Sequence, residues 1–299
     1  MIATTDDSGP ERRRALWQLH ACVFLWGFTA ILGKLITLSA IALVIWRMAM
    51  AVAVLGLLPN TWRGLATLDR RDLARHAFAG SVIALHWLTF YASIKLANAS
   101  VAVACIALGA VFAALIEPLL TARPHERGEI ALGFAVIPGV WLLVGGVPEG
   151  MLTGVLVGIL SAALTALFSS LNKRYLGRTD PATVSLLQLG MGVAFLAVFG
   201  SIVFGTDTTF VTPTARDFSW LALLAVACTV LPFLLWLRAL HHVSAFGTQL
   251  ALNLEPVYAI LLAALLFREN EDLTPRFYLG AAAILATVLV QPLLSARRR

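Results

Sequence analysis

One glutamate of this sequence stands inside a long apolar stretch, directly before a proline. Glu255 precedes Pro256, and a proline removes one helix hydrogen bond and leaves a backbone carbonyl free. Around Glu255, the residues Gln249, Asn253 and Pro256 are spaced at i, i+4 and i+7, which places them on one helix face, with Tyr258 close by. A carboxylate in this neighbourhood can contact a polar solute or accept a proton. The structural alternative is a glutamate bonded to a neighbouring helix end beside a kink, and both stay open.

Further residues that can do chemistry also stand inside apolar stretches: Trp26, Arg47, His86, Trp87, Tyr91 and Glu117. His86 and its aromatic neighbours are candidates for a cavity wall, although a lone helical histidine is commonly a hydrogen-bonded packing residue. Arg47 needs a carboxylate or helix-end carbonyls as partners, so we favour a structural or gating ion pair over direct substrate contact. Glu117, like Glu255, precedes a proline but lies nearer the end of its stretch. Trp26 precedes a glycine, which indicates an aromatic wall at a close helix contact.

Motifs for enzymatic chemistry are weak. Ser170 and Lys173 have the spacing Ser-x-x-Lys but lack the companion motifs of such enzymes. The adjacent His241 and His242 cannot form the i, i+4 pair of a metal-binding helix. The sequence contains no glycine-rich phosphate loop with a lysine. We therefore expect no enzyme activity, no metal and no cofactor.

The composition sets the class of protein. The chain has 299 residues, of which 60% are hydrophobic and 13% are charged, whereas soluble domains carry about 25% charged residues. This excludes an ordinary cytosolic enzyme, a disordered protein and a secreted disulfide scaffold.

Polar residues divide the chain into ten apolar stretches. Each is a continuous run about as long as a membrane-spanning helix, rather than the alternating pattern of a barrel strand. We predict an all-α integral membrane protein whose spans lie near residues 16–36, 40–59, 76–95, 100–121, 128–146, 151–171, 182–204, 217–240, 244–267 and 275–294.

Basic residues predict the orientation of these spans. With a cytoplasmic N-terminus, cytoplasmic segments hold 16 Lys and Arg residues and the opposite side holds 5, a positive-inside bias. We expect cytoplasmic tails at 1–15 and 295–299. The net charge of +6 is then a mark of topology, and no nucleic-acid partner is expected. Lys34, Lys95 and Lys173 lie near span ends, where anchoring at the interface is expected.

The chain also divides into two similar halves, 16–146 and 151–294. Lys34 and Lys173 close the first span of each half, and each half later carries a Glu-Pro pair. Because each half has five predicted spans, an odd number, the halves must have opposite orientations in the membrane. Two inverted five-helix repeats are a transporter architecture with a site near the midplane.

Several short motifs resemble one transporter family. They are Trp26-Gly27-Phe28, Gly33-Lys34, Trp46-Arg47, Asn253-Leu254-Glu255-Pro256-Val257-Tyr258 and Arg268-Glu269. In combination and order they are similar to the drug/metabolite transporter superfamily, within it to ten-helix permeases built from two EamA domains. The resemblance covers residues 16–294. It implies alternating-access transport of small metabolites such as amino acids or nucleosides, frequently as efflux.

The sequence therefore predicts an inner-membrane permease for a small molecule, with both termini in the cytoplasm. Two alternatives remain, an intramembrane enzyme acting on lipid substrates and a non-transporting membrane scaffold. Lipid-facing and partner-facing apolar surfaces look alike in sequence, so a homodimer is also left open.

Overall fold

A computed structural model describes residues 10–122, 124–125, 127–175, 179–252 and 254–296. In this part of the chain 85% of the residues are helical and no strand occurs. The all-α prediction is confirmed. Asn253 and the extreme ends of both tails, 1–9 and 297–299, lie outside the described residues.

Each of the ten predicted stretches overlaps a helical segment in the described chain. We number these segments 1 to 10 in chain order: Pro10–Leu35, Ala40–Gly56, Arg70–Leu96, Ala99–Thr121, Arg127–Val144, Leu152–Tyr175, Pro181–Val203, Ala215–Leu240, a ninth made of Ala245–Leu252 and Glu255–Phe267, and Pro275–Ala296. Two short helices, Pro59–Leu65 and Thr206–Thr209, lie between segments.

Among the described residues, several helices are long and apolar enough to cross a membrane on their own. Six helices of the described chain meet both criteria: segments 1, 3, 4, 7 and 8, and segment 6 taken with the 3-10 turn before it. Ala40–Gly56, Phe134–Gly145 and Glu255–Phe267 are shorter apolar helices. The protein is therefore a multi-pass membrane protein by its helices and composition.

Several segments are interrupted near their middle. Segment 1 consists of Pro10–Gly27 and Thr29–Leu35, and segment 4 consists of Ala99–Ile106 and Gly109–Thr121. Segment 8 contains a π-helical turn at Val226–Val230, just before Pro232. Such turns are found where the regular hydrogen-bond ladder is broken, frequently at functional sites. At the π-helical turn of segment 8, the Cys228 carbonyl accepts a hydrogen bond from the side chain of Arg47.

The two halves of the chain pack against each other along these helices. Segment 6 crosses segment 3 so closely that a Cβ on Gly154 would lie 2.6 Å from the Cβ of Ala97, and one on Gly158 would lie 2.9 Å from Ser93 Oγ. Ser93 Oγ in turn donates a hydrogen bond to the Gly154 carbonyl at 2.7 Å. Small residues therefore bring helices of different halves into backbone contact.

Candidate functional site

A cavity lies between the two halves of the protein. Its unoccupied space is about 610 Å³, including the part that opens to the outside. The walls come from segments 1, 2, 3 and 4 of the first half and from segments 6, 8 and 9 of the second. The lining residues are Trp26, Thr29, Arg47, Ile83, His86, Trp87, Phe90, Ile106, Thr165, Phe168, Ser169, Phe233, Trp236, Leu252 and Glu255.

Arg47 is the positive charge of this cavity and is only 1% exposed. Its guanidinium donates hydrogen bonds to Thr229 Oγ1 at 2.7 Å, to the Tyr91 hydroxyl at 2.7 Å and to the Cys228 carbonyl at 3.2 Å. The Cys228 carbonyl is available because Pro232, four residues later, has no N–H to donate to it. The proline of segment 8 thus creates a binding position for an arginine of segment 2.

One face of the Arg47 guanidinium covers an aromatic ring. Its central carbon lies 3.9 Å from the ring centroid of Trp87 and 5.6 Å from that of Tyr91. This is close enough for a cation–π interaction, which strengthens when the groups are desolvated. Hydrogen bonds and ring contacts together hold the charge at a defined place in the wall.

Glu255 is the acidic side chain that lines the same cavity. It is 8% exposed and is the first residue of the helix Glu255–Phe267, where the positive end of the helix dipole favours a carboxylate. The cavity therefore presents one basic and one acidic side chain, Arg47 and Glu255.

His86 connects segment 3 to segment 6. Its Nδ1 lies 2.9 Å from both the hydroxyl and the carbonyl oxygen of Ser161, and the Ser161 hydroxyl is 3.0 Å from the His86 carbonyl. The imidazole also lines the cavity. Structural and cavity-facing roles, which the sequence presents as alternatives, coexist at this residue.

Aromatic rings form much of the remaining wall. Phe168 stacks on Trp236 at 5.4 Å with an interplanar angle of 13°, and on Phe233 at 5.8 Å. Phe233 in turn meets Trp87 edge to face at 6.3 Å. Sequence reasoning missed the three aromatic residues of segments 6 and 8. No charge or proline next to Phe168 or Trp236 distinguishes them from packing residues.

The structure does not bring every predicted residue to the cavity. Tyr91 is fully buried behind the wall, where it supports Arg47. Tyr258 is 45% exposed and meets Phe24 edge to face at 6.4 Å. A Cβ on Gly27 would lie 3.1 Å from Tyr258 Cβ, so the close helix contact predicted beside Trp26 is the one with Tyr258.

Three further residues predicted for the site are Glu117, Gln249 and Asn253. Glu117 is 2% exposed and interacts electrostatically with Lys173, but it does not line the cavity. Gln249 lies on the helix Ala245–Leu252, but its side chain is outside the described part of the structure, as is Asn253.

At one end of the bundle, Lys34 pairs with Glu269 instead of acting only as an interface anchor. Lys34 Nζ lies 2.7 Å from Glu269 Oε1. The Glu269 carboxylate, 0% exposed, also accepts hydrogen bonds from the Ala99 and Ser100 amides and from the Ser100 hydroxyl. Burial acts to raise the pKa of Glu269, but the bonds from Lys34 and Ser100 outweigh it and hold this pKa below its ordinary value.

A second carboxylate ties the halves together at the same end. Asp217 is 1% exposed and accepts hydrogen bonds from the Thr37 amide at 2.8 Å and the Thr37 hydroxyl at 2.7 Å. Lys95 Nζ donates to the Ile36 carbonyl at 2.5 Å. The connection between segments 1 and 2 is therefore held both by its own half and by the second half.

Lys173, the counterpart of Lys34 in the second half, also bonds within the protein. Its Nζ donates to the Leu240 carbonyl at 2.7 Å and to the Val243 carbonyl at 2.9 Å. Leu240 is the last residue of segment 8, where a positive charge is favoured by the helix dipole, and Val243 lies three residues beyond it.

Comparisons with known proteins place this architecture in a family. A crystal structure described only as that of a protein matches with a TM-score of 0.66 and 17% sequence identity, covering 95% of this chain and 98% of its own, which shows a shared fold. No curated protein sequence matches the chain. The model of the EamA-like transporter family matches twice, over residues 14–145 and 152–291. The resemblance found in the sequence is confirmed, and the chain belongs to the EamA-like transporter family of the drug/metabolite transporter superfamily.

Proposed function

We propose that this protein is a secondary transporter that moves a small amino-acid-like solute through the cavity between its halves. The observation that carries the proposal is the presence of a basic side chain, Arg47, and an acidic one, Glu255, in one aromatic-walled cavity. An amino acid has a carboxylate for the arginine and an ammonium group for the glutamate. A nucleoside, the other solute class implied by the resemblance, has no charges for them and would bury both groups beside uncharged atoms, at a cost.

The proposed topology is ten spans in two inverted repeats of five, at 16–146 and 151–294, with both termini in the cytoplasm of an inner-membrane protein. Ten helical segments in the described chain and the doubled family match support it. The bias of basic residues, 16 against 5, supports the orientation. In this topology the end that carries Lys34 and Glu269 faces outward.

Alternating access requires that one end of the cavity be closed while the other is open. The bonds of Glu269 and Asp217 to the first half support the proposal that the outer end is closed in this conformation. Opening that end would break them. Efflux is the proposed direction, since the resemblance is to permeases that frequently export metabolites.

Glu255 is the proposed coupling residue. A buried carboxylate facing a cavity can exchange a proton for a cationic group of the solute, which links solute movement to a proton gradient. No nucleotide hydrolysis is proposed, because the sequence carries no phosphate-binding loop. A homodimer is compatible with the proposal but is not needed for it, since the cavity is lined within one chain.

Transport by the purified protein in liposomes tests this function. We expect uptake of an amino acid from a panel of amino acids and nucleosides under an imposed pH gradient, and loss of the gradient dependence in Glu255→Gln. Glu149→Gln, at an exposed glutamate, is the matched control and should behave like the wild type. Gradient-dependent uptake that survives Glu255→Gln would remove this residue from coupling. Absence of transport of every solute would contradict the proposed function.

A further inference from the structure

Two hydrogen-bonding side chains of the cavity have no partner in the described part of the chain. Thr29 is 5% exposed and Trp236 is 2% exposed, and both line the cavity. Among the described residues, neither Thr29 Oγ1 nor Trp236 Nε1 has a hydrogen-bond partner. A buried donor without a partner costs folding about 1–3 kcal/mol. A solute that supplies the missing partner recovers this cost on binding.

Thr29 differs in this respect from other helical hydroxyls of the protein. Thr89 Oγ1 donates to the carbonyl of Leu85 at 2.8 Å, and Ser170 Oγ donates to that of Ala166 at 2.8 Å, in both cases four residues earlier. Segment 1 is interrupted at Phe28, and Thr29 begins the next helix. The interruption coincides with a hydroxyl that does not bond back to its own helix, in a residue that lines the cavity.

Trp236 lies at the end of a row of rings that begins at Arg47. The guanidinium covers Trp87, Trp87 meets Phe233 at 6.3 Å, and Phe233 meets Trp236 at 5.8 Å. The two ends of the row are polar and its middle is apolar. An indole N–H is a donor only, so Trp236 Nε1 can be satisfied by an acceptor and by no other group.

We propose that Trp236 Nε1 selects solutes that carry an uncharged hydrogen-bond acceptor at the end opposite their carboxylate, with the Thr29 hydroxyl as a second polar contact. The solute class is an amino acid with an apolar body between its charged end at Arg47 and an ether, hydroxyl or carbonyl oxygen at Trp236. This inference rests on the proposed function, since it takes the cavity as the site of an amino-acid-like solute.

Two probes of nearly equal shape test the assignment, 4-methoxy-L-phenylalanine, which has an ether acceptor, and 4-ethyl-L-phenylalanine, which has none. The full-length protein is labelled with ¹⁵N at its indole nitrogens and placed in lipid nanodiscs. We expect the methoxy compound to bind about tenfold more tightly, the effect of one hydrogen bond in a buried site. The Trp236 indole resonance, assigned with Trp236→Phe, should move with this probe alone. Trp236→Phe should abolish the preference and Thr29→Val should reduce it.

Trp220→Phe is the matched control. Trp220 Nε1 is also buried without a partner among the described residues, but Trp220 does not line the cavity. Its resonance should stay in place and its variant should keep the preference. Equal binding of both probes, or a preference that survives Trp236→Phe, would overturn the assignment and leave the proposed function intact. If neither probe nor any amino acid binds, the proposed function is wrong and the assignment falls with it.

Discussion

Lys34 Nζ lies 2.7 Å from Glu269 Oε1, which joins the end of segment 1 in the first half to the turn after segment 9 in the second. The residues are 235 positions apart in the chain. Glu269 also accepts two amide hydrogen bonds at the start of segment 4. One carboxylate thus connects three segments at the end where alternating access would have to open.

Removing this carboxylate should favour opening of that end. Glu269→Gln loses the charge that Lys34 and the segment 4 amides bind, and bonds to a charged group contribute about 1.5–3 kcal/mol. Ile36 lies two residues after Lys34 and is 0% exposed. A cysteine at this position therefore reports on opening of the outer end. We expect Ile36→Cys to react with a membrane-impermeant thiol reagent about tenfold faster in the Glu269→Gln background. The labelling rate rises because a larger fraction of the molecules has the outer end open.

The control for this experiment is Glu271→Gln. Glu271 lies two residues away, is exposed and pairs only with Arg268 among the described residues. Its replacement should leave the labelling rate of Ile36→Cys unchanged. Equal rates in the Glu269→Gln and wild-type backgrounds would show that the ion pair does not hold this end closed.

The contribution of Glu269 to stability should depend on pH in a defined direction. Its pKa is lowered in the folded protein, because the bonds from Lys34 and Ser100 outweigh burial. A lowered pKa means that the stabilisation is complete above the ordinary glutamate pKa of about 4.3 and is lost as pH falls through the folded value. The difference in Tm between wild type and Glu269→Gln should therefore persist from pH 7 to about 5. Loss of this difference already above pH 6 would contradict the prediction.

Arg47 should be a large contributor to stability as well as a cavity charge. Arg47→Met keeps the volume but leaves Thr229, Tyr91 and the Cys228 carbonyl without their donor. Breaking a buried charged network costs about 3–5 kcal/mol, so the Tm in detergent should fall by several degrees. Arg75→Met is the control, since Arg75 forms a partly exposed pair with Asp72, worth less than about 1 kcal/mol. Similar Tm values for the two variants would contradict the buried network.

Pro232 should position Arg47 through the carbonyl that it leaves free. Pro232→Ala restores an N–H that can bond to the Cys228 carbonyl and compete with Arg47. We expect a raised KM for transport with little loss of Tm, because proline inside a helix is itself destabilising. Pro181→Ala, at the first position of segment 7, removes a proline that frees no carbonyl in the cavity and should leave KM unchanged. An unchanged KM in Pro232→Ala would show that this carbonyl does not position the arginine.

Much of the architecture could be predicted because it depends on local sequence. Apolar run length and the sparing use of charge predict the helical segments, and the interruption before Glu255 follows from Pro256. The sequence also predicts that Arg47 needs a carboxylate or helix-end carbonyls as partners. The carbonyl that it contacts, that of Cys228, lies in the π-helical turn of segment 8. These properties depend on the residue itself and on its near neighbours in the chain.

The side chains that meet in the cavity could not be predicted in the same way. Glu255 and Tyr258 are close in sequence, yet the first lines the cavity and the second lies on the outer surface beside Phe24. An apolar helix carries little signal of its rotation, because its lipid-facing and protein-facing sides have similar residues. In the sequence Trp236 therefore reads as a packing residue, and only the structure shows that it stacks on Phe168 of segment 6 and lines the cavity.

The sequence by itself determined the class of this protein, the positions of its helices and its family. These properties depend on the order of apolar and basic residues along the chain, which the sequence gives directly. Only the tertiary structure decided that Arg47 meets Thr229, that Lys34 meets Glu269, and that Tyr258 stays outside. Those outcomes depend on how close two helices approach and how each is rotated about its axis. Small residues such as Gly154 and Gly158 permit the approach, and contacts across the two halves set the rotation.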